Sequence, residues 1–276
     1  MGAMDGKVVL LTGAAGAIGK PMAAEFARRG ATIVMAGRGA KLKAAADEVK
    51  SSTGSTKVET LEMDMSSLKS VRAGAEAFKK RHPKLHVLVN NAAVFSGSRK
   101  TTTDGFELVF GTNHLGHFLL TNLLLDTLKA SAPARVVLMT MGSTTPINFD
   151  DLMEEKKYSG MTSLTMSKGA ITCFGVELSK RLEASGVTVN MVNPELTKST
   201  LPREAPAPLR WVFALFGADP EQSKSYGVRI AADPEFEKVT GKFFRKNVEK
   251  PIPDIYLDPK VRERLWTESS KLVGLA

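Results

Sequence analysis

The segment Thr12-Gly13-Ala14-Ala15-Gly16-Ala17-Ile18-Gly19 follows directly on an apolar run at 8–11 and leads straight into helix-patterned sequence at 21–29. Three glycines between a strand and a helix constrain this chain more than any other feature. They permit a tight turn, a close approach of the backbone to a bound group, and close packing of helix on strand. The helix that starts there aims its free N–H groups at whatever lies over the loop. A lone glycine pattern is weak. One that closes a strand and opens a helix within a strand–helix–strand unit points to a pyrophosphate, and the alternative is a plain tight turn.

Further along, apolar runs at 32–36, 58–63, 85–89, 135–140 and 188–192 read as strands. Between them, 41–50, 68–81, 106–129 and 161–184 read as helices. Strand and helix alternating this regularly predict an α/β fold of one domain, a doubly wound parallel sheet covered on both faces. After Pro194 the alternation lapses. Residues 197–225, with the apolar patch Trp211-Val-Phe-Ala-Leu-Phe216, are expected to form a C-terminal substrate cap.

The 276 residues suit one such domain and leave little room for a second. A single cysteine, Cys173, excludes an intrachain disulfide, and its apolar helical surroundings predict a buried, inert thiol. The leader at 1–6 passes straight into the first strand, and no apolar run reaches membrane-spanning length. A cytoplasmic protein with no membrane span is therefore expected. The net charge of +9 raises the question of nucleic acid. Its lysines and arginines are scattered along helices without interleaved aromatics, so solvated helix faces are the better account and no nucleic-acid partner is expected. His114 and His117 have no cysteine or carboxylate cluster beside them. They are read as helix-packing residues, and no metal is expected.

Several phrases together carry a family resemblance. They are the glycine loop, Asn90-Asn91-Ala92-Ala93, Thr103-Asp-Gly-Phe106-Glu, Thr112-Asn113-His-Leu-Gly-His117-Phe, and Tyr158-Ser-Gly-Met with Ser167-Lys168. Over about residues 6–200 the chain resembles the short-chain dehydrogenase/reductase superfamily, and within it the retinol dehydrogenase-like branch. The resemblance implies a Rossmann-like three-layer fold, a nicotinamide cofactor and hydride transfer. It places Gly13, Gly16, Ile18, Gly19, Asp64, Met65, Asn91, Ala92 and Lys168 at the cofactor, with Asp64 on the adenine. Asn113 matches an asparagine that holds a water in the family's proton relay. The glycine spacing is T-G-x-x-G-x-x-G, with Ala17 where most members of this size have glycine, so Gly16 is expected to take over the close approach. Arg38 stands at the tip of the second strand with no carboxylate beside it. A carboxylate there would bind the ribose 2′-hydroxyl of NAD, whereas arginine suits the 2′-phosphate of NADP(H), the expected cofactor. Lys20 and Lys41 are expected to add positive charge nearby.

At the chemical centre the chain departs from the family's pattern. Members carry a serine at the end of strand five and a tyrosine four residues before the lysine. Residues four apart on a helix share a face, and here that pair is Leu164 and Lys168, with Met141 at the serine's place. Thr140, one residue earlier, should face away. Met141 and Leu164, with Trp211 and Phe213, are expected to line an apolar substrate pocket. Loss of a general acid typically costs about 10²–10⁴ in rate, so simple ketone reduction should be impaired. Candidate catalytic residues are then Lys168, Asn113, Ser143 and Glu195, with Tyr158 a further possible donor.

Three functions follow. One is NADP(H)-dependent reduction of an enone or imine on a hydrophobic small molecule, which can proceed without the phenol. Another is non-redox cyclisation or isomerisation on the same scaffold. The last is a silent cofactor-binding module. The resemblance further implies a homo-oligomer assembled through the long central helices.

Overall fold

A computed structural model describes residues 2–194 and 220–275. Eight strands form one sheet in the order β3-β2-β1-β4-β5-β6-β7-β8. They are β1 (Val8–Thr12), β2 (Thr32–Gly37), β3 (Val58–Glu62), β4 (Val87–Asn90), β5 (Ala134–Met139), β6 (Val187–Asn193), β7 (Phe243–Arg245) and β8 (Val248–Lys250). All pairings are parallel except β7 with β8. The chain runs outward from β1 to β3, then crosses back to β4 on the other side of β1. The strand order therefore reverses between β1 and β4, above whose carboxyl ends such sheets hold ligands.

Helices cover both faces. Before the unassigned stretch these are α1 (Gly19–Arg28), α2 (Gly39–Thr53), α3 (Leu68–Arg81), α4 (Leu108–Phe110), α5 (Gly116–Lys129) and α6 (Gly160–Arg181). After it come α7 (Pro220–Ala232), α8 (Asp254–Leu257) and α9 (Pro259–Leu272). The fully buried inner strand residues explain the continuous apolar runs: Val9, Leu10 and Leu11 of β1 all have no exposure, as expected for a sheet packed on both sides.

The doubly wound plan read from the sequence is the observed one. The structure differs from that reading in two places. The expected helix at 106–129 is interrupted by a π-helical turn, Gly111–Leu115, between α4 and α5. Strands β7 and β8, in sequence too short and too polar to show a pattern, extend the sheet beyond β6. Of the expected cap at 197–225, residues 197–219 lie outside the described residues, as do Glu195, Trp211 and Phe213; Pro220 already belongs to α7.

The outer face of α6 is not open. Trp266 of α9 packs its ring 5.0 Å from Phe118 and 5.8 Å from Phe174, and Arg181 lies 4.0 Å over the indole. Beside them Arg262 meets Glu177 at 3.2 Å with both side chains buried. Helix α9 of the same chain covers this face of the long central helices. Cys173 lies buried there, its thiol pushed up to about 12 by burial. Among the described residues no helix is long and apolar enough to cross a membrane, and no cluster of three metal-ligating side chains occurs.

Candidate active site

Thr12, the last residue of β1, organises the loop. Its Oγ1 accepts the N–H of Asn91 at 2.9 Å and of Ala92 at 3.0 Å, tying the end of β4 to the end of β1. The Asn91 side chain returns the link, donating from Nδ2 to the carbonyls of Thr12 and Gly13. Gly13 follows at φ +62°, the left-handed region, and a Cβ there would sit 2.7 Å from Ala92 Cα. At Gly19 a Cβ would lie 2.3 Å from the Gly13 carbonyl oxygen, so only glycine lets α1 start this close to β1. Helix α1 opens at Ile18 with no side-chain cap and no acidic residue in its first turn. Its dipole and N-terminal amides are thus turned toward the loop, an arrangement suited to an anion.

Beyond the glycine loop, at the ends of β2 and β3, Arg38 donates from Nη1 to Asp64 at 3.1 Å, and the guanidinium is 63% exposed. Burial works to raise the Asp64 carboxyl, but hydrogen bonds from Ser66 and Arg38 outweigh it and hold the group below the usual carboxylate range. Met65, which follows, is buried, and its carbonyl leaves no room for a Cβ at Gly116 of α5. Lys20 is paired with Glu48, so it adds less positive charge over the loop than the sequence suggested.

The π turn brings Asn113 to the other side of the site. Its Oδ1 accepts from Val94 N at 2.8 Å, and Nδ2 donates to Val94 O and Ser167 Oγ. His117, one turn on, bridges the two halves. Nδ1 lies 2.9 Å from the Asn113 carbonyl and must carry the proton, so Nε2 accepts from the Thr12 hydroxyl at 3.0 Å. Burial first, and the Lys168 charge in addition, hold His117 down to about 4, and burial holds His114 down to about 3. Both are neutral at physiological pH. The packing role read for them holds, but His117 also joins the glycine loop to the π turn. That link was missed because residues 12 and 117 are far apart in sequence.

Lys168 lies on α6 with Nζ 3.1 Å from the Met139 carbonyl at the end of β5. It is 8% exposed. One turn earlier on the same face stands Leu164, half-buried, and Met141, also half-buried, follows β5. Thr140 turns into α6, donating to the Lys168 carbonyl at 2.7 Å. Ser143 does not reach this face. Its hydroxyl donates to the Thr165 carbonyl at 2.9 Å, accepts from the Thr145 N–H and lies 3.2 Å from the Tyr256 hydroxyl, so the tight packing of the post-β5 loop on α6 and α8 removes it as a donor. Tyr158 likewise spends its hydroxyl on the Ser96 carbonyl at 2.8 Å. The cofactor-side residues and Lys168 are brought together; Ser143 and Tyr158 are not.

These residues fit a dinucleotide. Backbone contacts that a Cβ at Gly13 or Gly19 would violate, an uncapped helix start and an Arg–Asp pair all follow the carboxyl ends of β1, β2 and β3. The comparisons agree. A family profile described as short chain dehydrogenase matches residues 7–208. Retinol dehydrogenase 13 from Homo sapiens is 41% identical, over 99% of this chain and 86% of that protein. Retinol dehydrogenase 14 from Homo sapiens is 38% identical, over 99% and 88%. Among solved structures, an uncharacterized protein from Mycobacterium paratuberculosis superposes with a TM-score of 0.80 at 30% identity, over 98% of this chain and 94% of that one. A RhlG/NADP active-site complex from Pseudomonas aeruginosa gives 0.70 at 25% identity, over 88% and 95%. By sequence and by fold, this chain belongs to the short chain dehydrogenase family, whose members bind nicotinamide cofactors.

Proposed function

We propose that this protein is an NADP(H)-dependent oxidoreductase that reduces a conjugated carbonyl or imine on a hydrophobic small molecule without a tyrosine acid. The observation that carries this reading is the pairing of an ordered dinucleotide cradle with an apolar wall. Thr12, Gly13, Gly19, Asn91 and Asp64 hold the geometry that binding requires, while Met141 and Leu164 offer no polar hydrogen beside Lys168. When bound, the dinucleotide supplies the hydride. Gly13, Gly16, Ile18 and Gly19 would receive its pyrophosphate, Asp64 and Met65 its adenine, and Asn91, Ala92 and Lys168 its nicotinamide end.

Arg38 supports NADP(H) over NAD, since the exposed guanidinium at the tip of β2 can exchange Asp64 for a 2′-phosphate at little cost. The RhlG complex is an NADP complex at comparable fold similarity. For the substrate, the relatives' names point to retinol, an apolar polyene alcohol, consistent with the apolar residues at 141 and 164. An enone or an iminium needs less help from an acid: the first spreads developing charge by conjugation, and the second carries its activating charge already. Asn113, which bonds Ser167, the residue before Lys168, supports a relay role for this side chain, and the roles of Asn113 and Glu195 are to be tested by substitution.

Restoring the hydroxyls tests the reading. The double variant Met141→Ser, Leu164→Tyr should gain roughly 10²-fold or more in NADPH-dependent reduction of simple aldehydes and ketones. Tight binding of NADPH by the wild type should precede this, with weaker binding of NADH. If neither dinucleotide binds, or if the double variant gains nothing, the reading fails. Turnover of an apolar substrate without NADPH consumption would favour isomerisation or cyclisation, in which a shaped pocket orients the substrate.

A further inference from the structure

The geometry points to Lys168 as the proton donor of this reaction, its ammonium acting directly on the oxygen that gains charge. The inference rests on the oxidoreductase reading above and adds a chemical role to the lysine that the family resemblance assigns to the cofactor ribose. An ammonium has three N–H donors and no acceptor. One is satisfied by the Met139 carbonyl at 3.1 Å. The side chain is 8% exposed, and among the described residues no carboxylate pairs with it. Its other two donors thus have no acceptor among the described residues, a costly state for a buried cation that a bound ligand would relieve. One suits the ribose and leaves one for the substrate.

The neighbouring groups are excluded as donors by what they already hold. Asn113 is tied to Val94 and Ser167. The proton on His117 Nδ1 is held by the Asn113 carbonyl. Thr140 donates to the Lys168 carbonyl, Ser143 to the Thr165 carbonyl, and Tyr256 to the Thr145 carbonyl at 2.7 Å. Tyr158 serves Ser96. Leu164 and Met141 have nothing to give. Of the titratable groups around Lys168 among the described residues, His117 of α5 feels its charge and is held neutral, and burial alone accounts for the lysine's own shift. Desolvation lowers the lysine to about 8, near the working pH at which proton transfer is most efficient.

In the step itself a lysine N–H bond breaks and an O–H bond forms on the carbonyl or enolate oxygen. The electron pair arriving at carbon is the hydride of a reduced nicotinamide dinucleotide, so the lysine moves a proton and no electrons. The neutral amine is reprotonated from water.

Two measurements test this. NADPH-dependent reduction of trans-2-octenal, an apolar conjugated aldehyde, should fall about tenfold per pH unit above the lysine's titration. In Lys168→Arg, protonated at every accessible pH, that alkaline fall should vanish, and Lys168→Met should lose roughly 10²-fold or more. Independently of turnover, heteronuclear NMR of protein labelled at lysine, with the Lys168→Met variant identifying the signal, should show Nζ titrating near 8. An alkaline fall that survives unchanged in Lys168→Arg, or an Nζ titrating above about 10, overturns the proposal while leaving the oxidoreductase reading intact. Failure of the wild type to bind NADPH overturns both. Where NADPH binds but octenal is not reduced, the NMR midpoint alone decides.

Discussion

The two ends of the crevice are built on different principles. At the β1–β4 end nearly every polar atom is answered within the chain: Thr12 Oγ1 serves two amides and His117, and Asn91 spans two carbonyls. At the β5–α6 end a buried ammonium has a single acceptor among the described residues, the Met139 carbonyl. The first end spends stability on nothing; its bonds fix a shape. The second holds a desolvated charge, which lowers stability in the free protein and is useful only once a ligand answers it. Substitutions should therefore act in opposite directions at the two ends.

The largest effect is expected from Gly19→Ala. Its Cβ would lie 2.3 Å from the Gly13 carbonyl oxygen and 2.8 Å from Ala14 Cα, both backbone atoms that cannot swing aside. Dinucleotide affinity should fall roughly 100-fold and stability by about 1–3 kcal/mol, measured by fluorescence titration and denaturant unfolding. Normal affinity would show that the loop is not the cradle. Thr12→Val keeps the shape but removes one hydroxyl, stranding the Asn91 and Ala92 amides. About 2–3 kcal/mol should be lost, and affinity should fall with it because the β4 loop is freed. An unchanged unfolding midpoint would break the contrast between the two ends.

Lys168→Met should do the reverse and raise stability at pH 7. The folded-state pKa of the lysine is depressed from 10.5 to about 8. Below about 8 the folded protein carries a charge that burial penalises. Between 8 and 10.5 the unfolded chain binds more protons than the folded one, so wild-type stability should rise with pH through that window. The gain from methionine is on the order of 1–3 kcal/mol at pH 7 and should shrink as pH approaches 10.5. Equal or lower stability of the variant at pH 7 would mean the ammonium is better solvated than its burial indicates.

Much of this was legible in the sequence. The parallel sheet covered on both faces follows from regular alternation, since parallel strands buried on both sides must be joined by covering helices. The tight turn between β1 and α1 was legible because positive φ at Gly13 and the close contact at Gly19 are local demands that glycine alone meets. The shared face of Leu164 and Lys168 was visible too, since one helical turn relates them. Ser143 was not placed correctly, because the path of a coil segment after β5 depends on what packs over it. The π turn escaped notice for a related reason: the apolar periodicity of α4 and α5 runs through it with one extra residue. Strands of three residues, like β7 and β8, are too short to carry a period.

The sequence by itself determined the alternating strands and helices up to β6 and the glycine-rich turn between β1 and α1, because each of these depends on residues within a few positions of one another. Only the tertiary structure decided which hydroxyls face the site, that His117 joins Thr12 to the π turn, and that α9 covers the outer face of α6. Those outcomes depend on contacts between different elements, from 22 positions apart for Ser143 with Thr165 to 105 for Thr12 with His117 and 113 for Ser143 with Tyr256. No local pattern encodes such contacts; they are fixed when the sheet and its helices close on one another.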